Sequence, residues 1–282
     1  MRFVFLGTGT SAGIPSIGCG CDVCTSDDPR DTRLRTSGML EWIDPRGDRR
    51  VLLIDAGPDL RQQALREGMD RVDAILFTHN HVDHTWGVDE VRRFNAIMGE
   101  PIDVWAEPKV MDHLRRVYQH IFDRDRNIND SFVASLIPRT LAVGEVIELW
   151  GLRIEPVRLL HGRLPILGFR IDSAGLVDGG GVLPLAYCTD VSAIPPETWG
   201  RLEDLETLVL DGLRYRKHAT HFTVGQAVGV AHRVKAQQTW LVHMSHDVPH
   251  AAGDAELPDG ISLAWDGLAL GTDRDGGTDT RA

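Results

Sequence analysis

The segment His79–His84, with the sequence HNHVDH, places three imidazoles and one carboxylate directly after the apolar run 74–77. On a strand-to-helix turn, this HxHxDH spacing can direct four ligands toward two adjacent metal ions. Neutral imidazole and carboxylate are ligands that zinc, manganese and iron all accept. Because chance rarely fills all four positions behind a strand, the motif predicts a metal centre, and more specifically a two-metal one.

Three further candidate ligands follow apolar strand patterns later in the chain. His161 comes after residues 155–160, Asp190 after 185–189, and His243 after 239–242. Taken singly, such residues are ordinarily core histidines or aspartates that cap a helix. Their common placement at strand ends, behind a filled HxHxDH motif, favours one shared metal site.

A CxCxxC cluster, formed by Cys19, Cys21 and Cys24, lies near the N-terminus. In a cytosolic chain, such clustering favours metal binding over disulfides. Three thiolates suit a tetrahedral zinc that needs one more ligand, and the best candidate is His246, three residues after His243. A Cys3His site has no open position, so we expect a structural zinc that holds the N-terminal loop beside the active site. The alternative is three reduced cysteines without a metal.

The 282-residue chain carries a formal net charge of −11. Broad electrostatic binding of DNA or RNA needs a basic face, so this charge argues against a nucleic-acid partner. It does not exclude a small phosphate ester, because bound divalent ions create their own positive pocket. No apolar run approaches the roughly 20 residues of a bilayer span, and residues 1–7 resemble a strand rather than a signal peptide. We therefore expect a cytoplasmic protein without a membrane partner.

The chain divides into two β-rich halves with helical segments between the strands, and no low-complexity linker separates them. The periodicity predicts helices over 59–67, 86–98, 109–124 and 224–234. This arrangement predicts an α/β fold, a four-layer αββα sandwich. We expect one domain over residues 1–271 and a disordered tail over 272–282, which is polar and rich in Gly and Asp.

The order of these ligands resembles that of the metallo-β-lactamase fold superfamily, in which HxHxDH is followed by a lone His, an Asp and a last His. The resemblance covers nearly the whole chain and implies the αββα fold with two divalent ions, Mn²⁺ or Zn²⁺. It assigns three ligands to the first ion, three to the second and one bridging carboxylate. These are, in that order, His79, His81 and His161; Asp83, His84 and His243; and Asp190. Asp55 matches an early aspartate of the family that orients a ligand histidine.

Within the superfamily, the chain resembles the PhnP-like cyclic phosphodiesterase branch. The resemblance rests on the cysteine cluster, the segment 7–15 (GTGTSAGIP) and the segment 242–246 (VHMSH). By this comparison His221 takes the place of a histidine near the reacting phosphate, although its neighbour His218 competes for that role and spacing does not decide between them. The branch also implies a homodimer, for which the residues themselves indicate no interface.

The resulting hypothesis is a hydrolase that cleaves a small phosphodiester, a cyclic ribosyl or nucleotide phosphate, by attack of a metal-bound hydroxide. His221 would act as general acid, with Asp83 and Asp190 holding the reacting centre. A tRNA-processing nuclease would share the metals, but no inserted basic arm is visible. A glyoxalase II or lactonase would not explain the cysteines. A PqqB-like protein of cofactor biosynthesis also carries a CxCxxC loop, but that branch has an incomplete catalytic metal set.

Overall fold

The computed structural model describes residues 1–123, 125 and 131–272. Within them, one seven-stranded sheet contains six strands from the first half of the chain and one strand from its end. Its strands are β1 (Arg2–Gly7), β2 (Ser37–Ile43), β3 (Arg49–Ile54), β4 (Ala74–Leu76), β5 (Ile102–Ala106), β6 (Leu136–Thr140) and β14 (Ala269–Gly271). They are arranged in the order β14-β1-β2-β3-β4-β5-β6. Strands β3 to β6 are parallel to one another, whereas β14, β1, β2 and β3 pair antiparallel.

A second seven-stranded sheet has a corresponding arrangement. Its strands are β7 (Ile147–Leu149), β8 (Leu152–His161), β9 (Leu164–Ser173), β10 (Leu185–Cys188), β11 (Thr207–Asp211), β12 (Gln238–Val242) and β13 (Ile261–Leu263). The order is β13-β12-β11-β10-β9-β8-β7, with β10 to β13 parallel. Both sheets therefore contain a run of four parallel strands, whose carboxyl ends can present polar side chains together.

Seven α-helices accompany the two sheets in the described residues. They are α1 (Leu60–Glu67), α2 (Val82–Thr85), α3 (Arg92–Met98), α4 (Pro108–Val117), α5 (Gln119–Phe122), α6 (Val224–Val234) and α7 (His250–Ala255). Short 3-10 helices cover Pro29–Asp31, Val88–Val91 and Pro196–Arg201. None of the helices in this part of the chain combines the length and the apolar character that crossing a bilayer requires.

Three apolar clusters show how these elements are layered. The central cluster joins the facing sides of the two sheets, for example Phe5 and Leu40 with Phe169 and Val209. A second cluster packs the other side of the first sheet against α1, α3 and α4, and a third packs the second sheet against α6. Each sheet is thus covered on both faces, as its nearly continuous apolar strands require. The predicted αββα sandwich is confirmed.

The predicted helix over 86–98 is wrong as a single element. Helix α2 ends at Thr85, the 3-10 helix Val88–Val91 follows, and α3 begins only at Arg92. The backbone N–H of Gly87 donates to the Ala56 carbonyl, 2.8 Å away, so this turn is held against the segment after β3. Tertiary contact therefore breaks a segment whose periodicity favours one helix.

Two other predictions differ from the structure in part or fall on residues outside the described part of the chain. The helix predicted over 109–124 is divided at Tyr118 into α4 and α5, and its last residue lies outside the described residues. The expected tail of 272–282 also lies outside them, apart from Thr272.

Three predicted site residues adopt left-handed backbone conformations directly after strands. Asp55, Asp190 and His243 have φ angles of 63°, 56° and 61°. Non-glycine residues seldom occupy this region, and they do so mostly where the surrounding structure enforces it. The sharp turn after β3, β10 and β12 directs each side chain across the carboxyl edge of its sheet, which is how the fold concentrates polar groups there.

Gly57 permits the close contact between this edge and the HxHxDH segment. A methyl group at Gly57 would lie 2.1 Å from the backbone oxygen of Asp83. We expect Gly57→Ala to lower the free energy of unfolding by about 1–3 kcal/mol, as other overpacked sites do. Urea denaturation measures this loss.

Gly225 in α6 is the matched control, because no atom lies within 4 Å of the methyl group that alanine would add there. Gly225→Ala should be neutral or should stabilise by up to about 1 kcal/mol, since alanine favours the helix. Equal stability of the Gly57 variant and the wild type would show that this close approach is not needed.

Candidate metal centre

The first ligand group consists of His79, His81 and His161, and one nitrogen from each lies within 4.8 Å of the others. His79 and His161 are buried, whereas His81 is exposed at the mouth of the site. The Thr220 carbonyl accepts from Nδ1 of His161 at 2.8 Å, which fixes that ring and leaves its Nε2 free. The structure thus brings together the three side chains that the sequence assigns to the first ion.

The second group consists of Asp83, His84, Asp190 and His243, all buried. The Nε2 atom of His84 lies 3.3 Å from Asp83 Oδ2 and 3.2 Å from Asp190 Oδ2. The Nε2 atom of His243 lies 3.6 Å from Asp83 Oδ2 and 3.2 Å from Asp190 Oδ1. Because each histidine is near a different oxygen of Asp190, this carboxylate occupies the middle of the group.

The geometry of both groups fits divalent ions better than it fits hydrogen bonding. Within the described residues, the Nε2 atoms of His79, His84 and His243 are buried and have no hydrogen-bond partner. Leaving such atoms unpaired in a protein interior is costly. Ligands about 2.0–2.1 Å from a tetrahedral ion lie roughly 3.3 Å from one another. The separations of 3.2–3.6 Å in the second group are close to this value. The unpaired atoms therefore have the positions that metal ligands need.

A buried carboxylate orients one of the ligand rings. Asp55 accepts from Nδ1 of His84 at 2.7 Å and from the backbone N–H and hydroxyl of Thr78 at 2.9 and 2.8 Å. Its position matches the orienting role that the resemblance implies. Thr78 also contacts His79, with its hydroxyl oxygen 3.0 Å from Nδ1. A hydrogen-bonded chain behind the ligands thus sets the direction of two rings at once, as outer residues of metal sites commonly do.

The charges of the site favour a cation. Burial opposes charge at Asp190, but the rings of His243 and His84 hold its pKa well below the usual range. Burial likewise disfavours protonated His243, yet Asp190 and Asp83 raise the pKa of that ring to about 9. The two histidines thus hold protons that compensate the carboxylates. Divalent ions would supply the same compensation and release those protons.

His221 lies against both ligand groups. Its ring is stacked on His243, with centroids 4.7 Å apart, and is 4.6 Å from the ring of His161. His218 is farther out: its ring is 5.1 Å from that of His221, and its Nδ1 accepts from the Thr220 backbone N–H at 3.3 Å. Of the two candidates that the sequence leaves open, His221 therefore contacts the ligand rings.

Asp211, at the end of β11, is the site residue that the sequence reasoning missed. Its Oδ2 lies 2.6 Å from Nδ1 of His221 and accepts from the Val191 backbone N–H at 2.9 Å. Burial raises the pKa of Asp211 well above its usual range and lowers that of His221 to about 3. Both shifts favour a pair without net charge, in which one proton lies between the two groups.

A sequence signal for Asp211 did exist. Like Asp190, it ends an apolar strand, Thr207–Asp211, in a run of parallel strands. The same strand-end rule that selects His161 and Asp190 therefore also selects Asp211. It was overlooked because the family pattern has no ligand at that place.

The cysteine cluster forms a separate group with His246. The Sγ atoms of Cys19, Cys21 and Cys24 lie 3.1, 3.5 and 3.6 Å from Nδ1 of His246. Ligands of a tetrahedral zinc with Zn–S bonds of about 2.3 Å are roughly 3.5–3.8 Å apart. A backbone hydrogen bond from the Cys24 turn lowers the pKa of Cys21 to about 7, which favours the thiolate that zinc requires. The four side chains fit one closed zinc site.

This cluster is linked to the first two groups through the backbone. The N–H of Thr10 donates to the Met244 carbonyl at 3.0 Å, and the N–H of Met244 donates to the Thr8 carbonyl at 3.0 Å. Arg33, fully buried, donates to the carbonyls of Ser245 and Val248 at 3.0 and 2.7 Å. The N-terminal loop is thus attached on both sides of the turn that follows His243.

Comparison with known proteins agrees with this description. The chain resembles a crystal structure of a new diphosphatase from the PhnP family, with 40% identity, a TM-score of 0.83, and coverage of 96% of this chain and 97% of that one. Zn²⁺-bound PqqB from Methylobacterium extorquens shares the fold, with 21% identity, a TM-score of 0.74, and coverage of 96% and 99%.

Among curated proteins, the chain is 36% identical over 278 residues to an octanoyltransferase of Porphyromonas gingivalis, which covers 98% of this chain. The match spans only 52% of that longer protein. A family model described as beta-lactamase superfamily domain matches residues 49–244, which contain the HxHxDH motif and the ligands at His161, Asp190 and His243. The chain belongs to the β-lactamase superfamily of domains, and its His/Asp clusters are candidate metal-binding groups on that fold.

Proposed function

We propose that the protein is a dinuclear-metal phosphodiesterase that opens a small cyclic phosphodiester of a ribose or nucleotide. One observation carries the proposal: His221, paired with Asp211, lies directly against both ligand groups. A hydrolase of phosphodiesters needs a proton donor beside its metals, because an alkoxide is a poor leaving group. The 40% identity to a PhnP-family diphosphatase supports chemistry at phosphorus.

Seven residues would hold two ions, either Mn²⁺ or Zn²⁺. They are His79, His81 and His161 for one ion, Asp83, His84 and His243 for the other, and Asp190 between them. Two divalent ions supply a water of lowered pKa and positive charge beside the phosphate oxygens. The buried carboxylates and the hydrogen bond from His84 to Asp55 hold the ligand atoms at fixed separations before substrate arrives.

His221 would donate a proton to the leaving oxygen through Nε2. Its Nδ1 is occupied by Asp211, so the free nitrogen is the one available to a substrate. In the uncharged pair that the two pKa shifts favour, the Asp211 carboxyl would donate to Nδ1 and the neutral ring would carry its N–H hydrogen on Nε2. When Nε2 gives up that hydrogen, Nδ1 can receive the Asp211 proton, so the ring need not become an anion.

The competing functions have less support. The net charge of −11 does not favour a nuclease that grips tRNA. An acyl hydrolase cleaves no phosphodiester, so it would not need a proton donor for the leaving alkoxide of a phosphodiester at the position of His221. The octanoyltransferase relative is nearly twice as long as the matched segment, so its activity is not assigned to this chain.

Hydrolysis of a ribosyl 1,2-cyclic phosphate and of 2′,3′-cyclic AMP by protein loaded with Mn²⁺ or Zn²⁺ tests the proposal. An acyl thioester is assayed in parallel, and Asp190→Ala is the blank. We expect the cyclic phosphates to be opened by the wild type only. Inert cyclic phosphates together with a hydrolysed thioester would overturn the phosphodiesterase and leave a metal-dependent acyl hydrolase.

The role of Asp211 leads to a separate prediction. Asp211→Asn keeps the shape of the side chain but cannot pass a proton to His221. We expect turnover of alkoxide-leaving diesters to fall roughly 10²-fold, the usual contribution of a proton donor, with little change for nitrophenolate-leaving diesters. Steady-state kinetics on the two substrate classes measures the difference.

Asp247→Asn is the control, since Asp247 pairs with the exposed Arg216 on the nearby surface. Metal analysis must show that both variants retain their ions. Equal losses on the two substrate classes would contradict proton delivery by this pair.

A further inference from the structure

A groove on the outer side of the first sheet lies between α1 and α3. It has a volume of about 460 Å³, within the range of pockets that hold small ligands. Its apolar lining includes Leu60, Ala64, Met69 and Phe94. The groove opens on the helical layer that covers the first sheet, and no ligand residue of the metal centre lines it.

Three large apolar side chains of this groove are exposed to solvent. Leu65, Ile97 and Phe132 have relative exposures of 66%, 50% and 58%. They come from α1, from α3 and from the segment before β6, so three separate parts of the chain contribute. Isolated exposed apolar residues are ordinary, but their convergence on one concave surface usually marks a binding site.

Cationic side chains surround the same groove. Arg61, Arg92 and Arg93 line it, with Glu90 as the acidic lining residue. Arg92 forms an exposed ion pair with Asp89 at 3.3 Å. Within the described residues, the guanidinium groups of Arg61 and Arg93 form neither an ion pair nor a side-chain hydrogen bond. In a protein of net charge −11, two available guanidinium groups beside an apolar groove indicate an anionic ligand.

We propose that this groove binds a single-chain amphiphile, an aliphatic tail that ends in a carboxylate or phosphate. The tail would cover Leu65, Ile97 and Phe132, and the head group would contact Arg61 and Arg93. A simple inorganic anion would leave the apolar walls of the groove uncovered, so an aliphatic tail is part of the proposed ligand. The arginines explain why an uncharged or cationic chain would fit less well.

Calorimetric titration of the full chain with monomeric decanoate, below its micelle concentration, tests the proposal. Nonyltrimethylammonium has the same nine-carbon tail with the opposite charge and should bind at least about tenfold more weakly. The double variant Arg61→Glu/Arg93→Glu should raise the Kd for decanoate by about tenfold or more, and Ile97→Asp should abolish binding. Circular dichroism verifies that the variants fold.

Arg115→Glu is the matched charge control, because Arg115 is exposed on α4 and does not line the groove. It should leave the Kd for decanoate unchanged. Equal binding of the two amphiphiles, or an unchanged Kd in the double variant, would overturn the proposal. Binding that required vesicles of anionic lipid would also overturn it, because the groove would then contact a membrane. So would a dimer that does not bind decanoate and that Ile97→Asp dissociates, because the groove would then contact a second copy of the chain.

Discussion

Acidic and imidazole side chains are buried together at one edge of the two sheets. The charge balance of the site and the turns around it depend on this burial. Asp190 lies between His84 and His243, and neither histidine nitrogen completes a hydrogen bond there. Such groups are unfavourable in a protein interior unless charge compensates charge. Asp190 and its neighbouring carboxylates raise the pKa of both rings, so either protons on the rings or divalent ions would provide that compensation. The outer carboxylate Asp55 and the hydroxyl of Thr78 then keep the ligand rings in place.

Several backbone features position the polar side chains at this edge of the two sheets. Left-handed turns at Asp55, Asp190 and His243 direct their side chains across the sheet ends. Gly57 allows the HxHxDH segment to approach within contact distance of the turn after β3. The loop that carries the cysteine cluster pairs with the backbone after His243. A structural zinc at the cysteines would therefore also stabilise the turn that presents His243, because the backbone connects the two candidate metal-binding regions.

Much of this could be predicted from the sequence, because strand-end polar residues and motif spacing depend on local rules. The αββα fold follows from the two β-rich halves and from the family resemblance, and the residues that meet at the centre are those of the HxHxDH motif and the later strand ends. Asp211 was missed because the family pattern contains no ligand there, although its strand-end position resembles that of Asp190. The break at Gly87 could not be predicted, since it depends on contact with Ala56, which is distant in the chain. Long-range contact likewise places His221 against the ligand rings of His161 and His243, which spacing in the sequence could not predict.

Mass spectrometry of purified, zinc-loaded protein measures whether Asp190 holds the ions. We expect about three equivalents of zinc in the wild type, two at the histidine and aspartate groups and one at the cysteine cluster. Asp190→Ala should retain about one equivalent, and Cys21→Ser about two with a lower thermal stability. If Asp190→Ala kept all three equivalents, the carboxylate at the middle of the site would not hold the ions, and the proposed metal centre would be wrong.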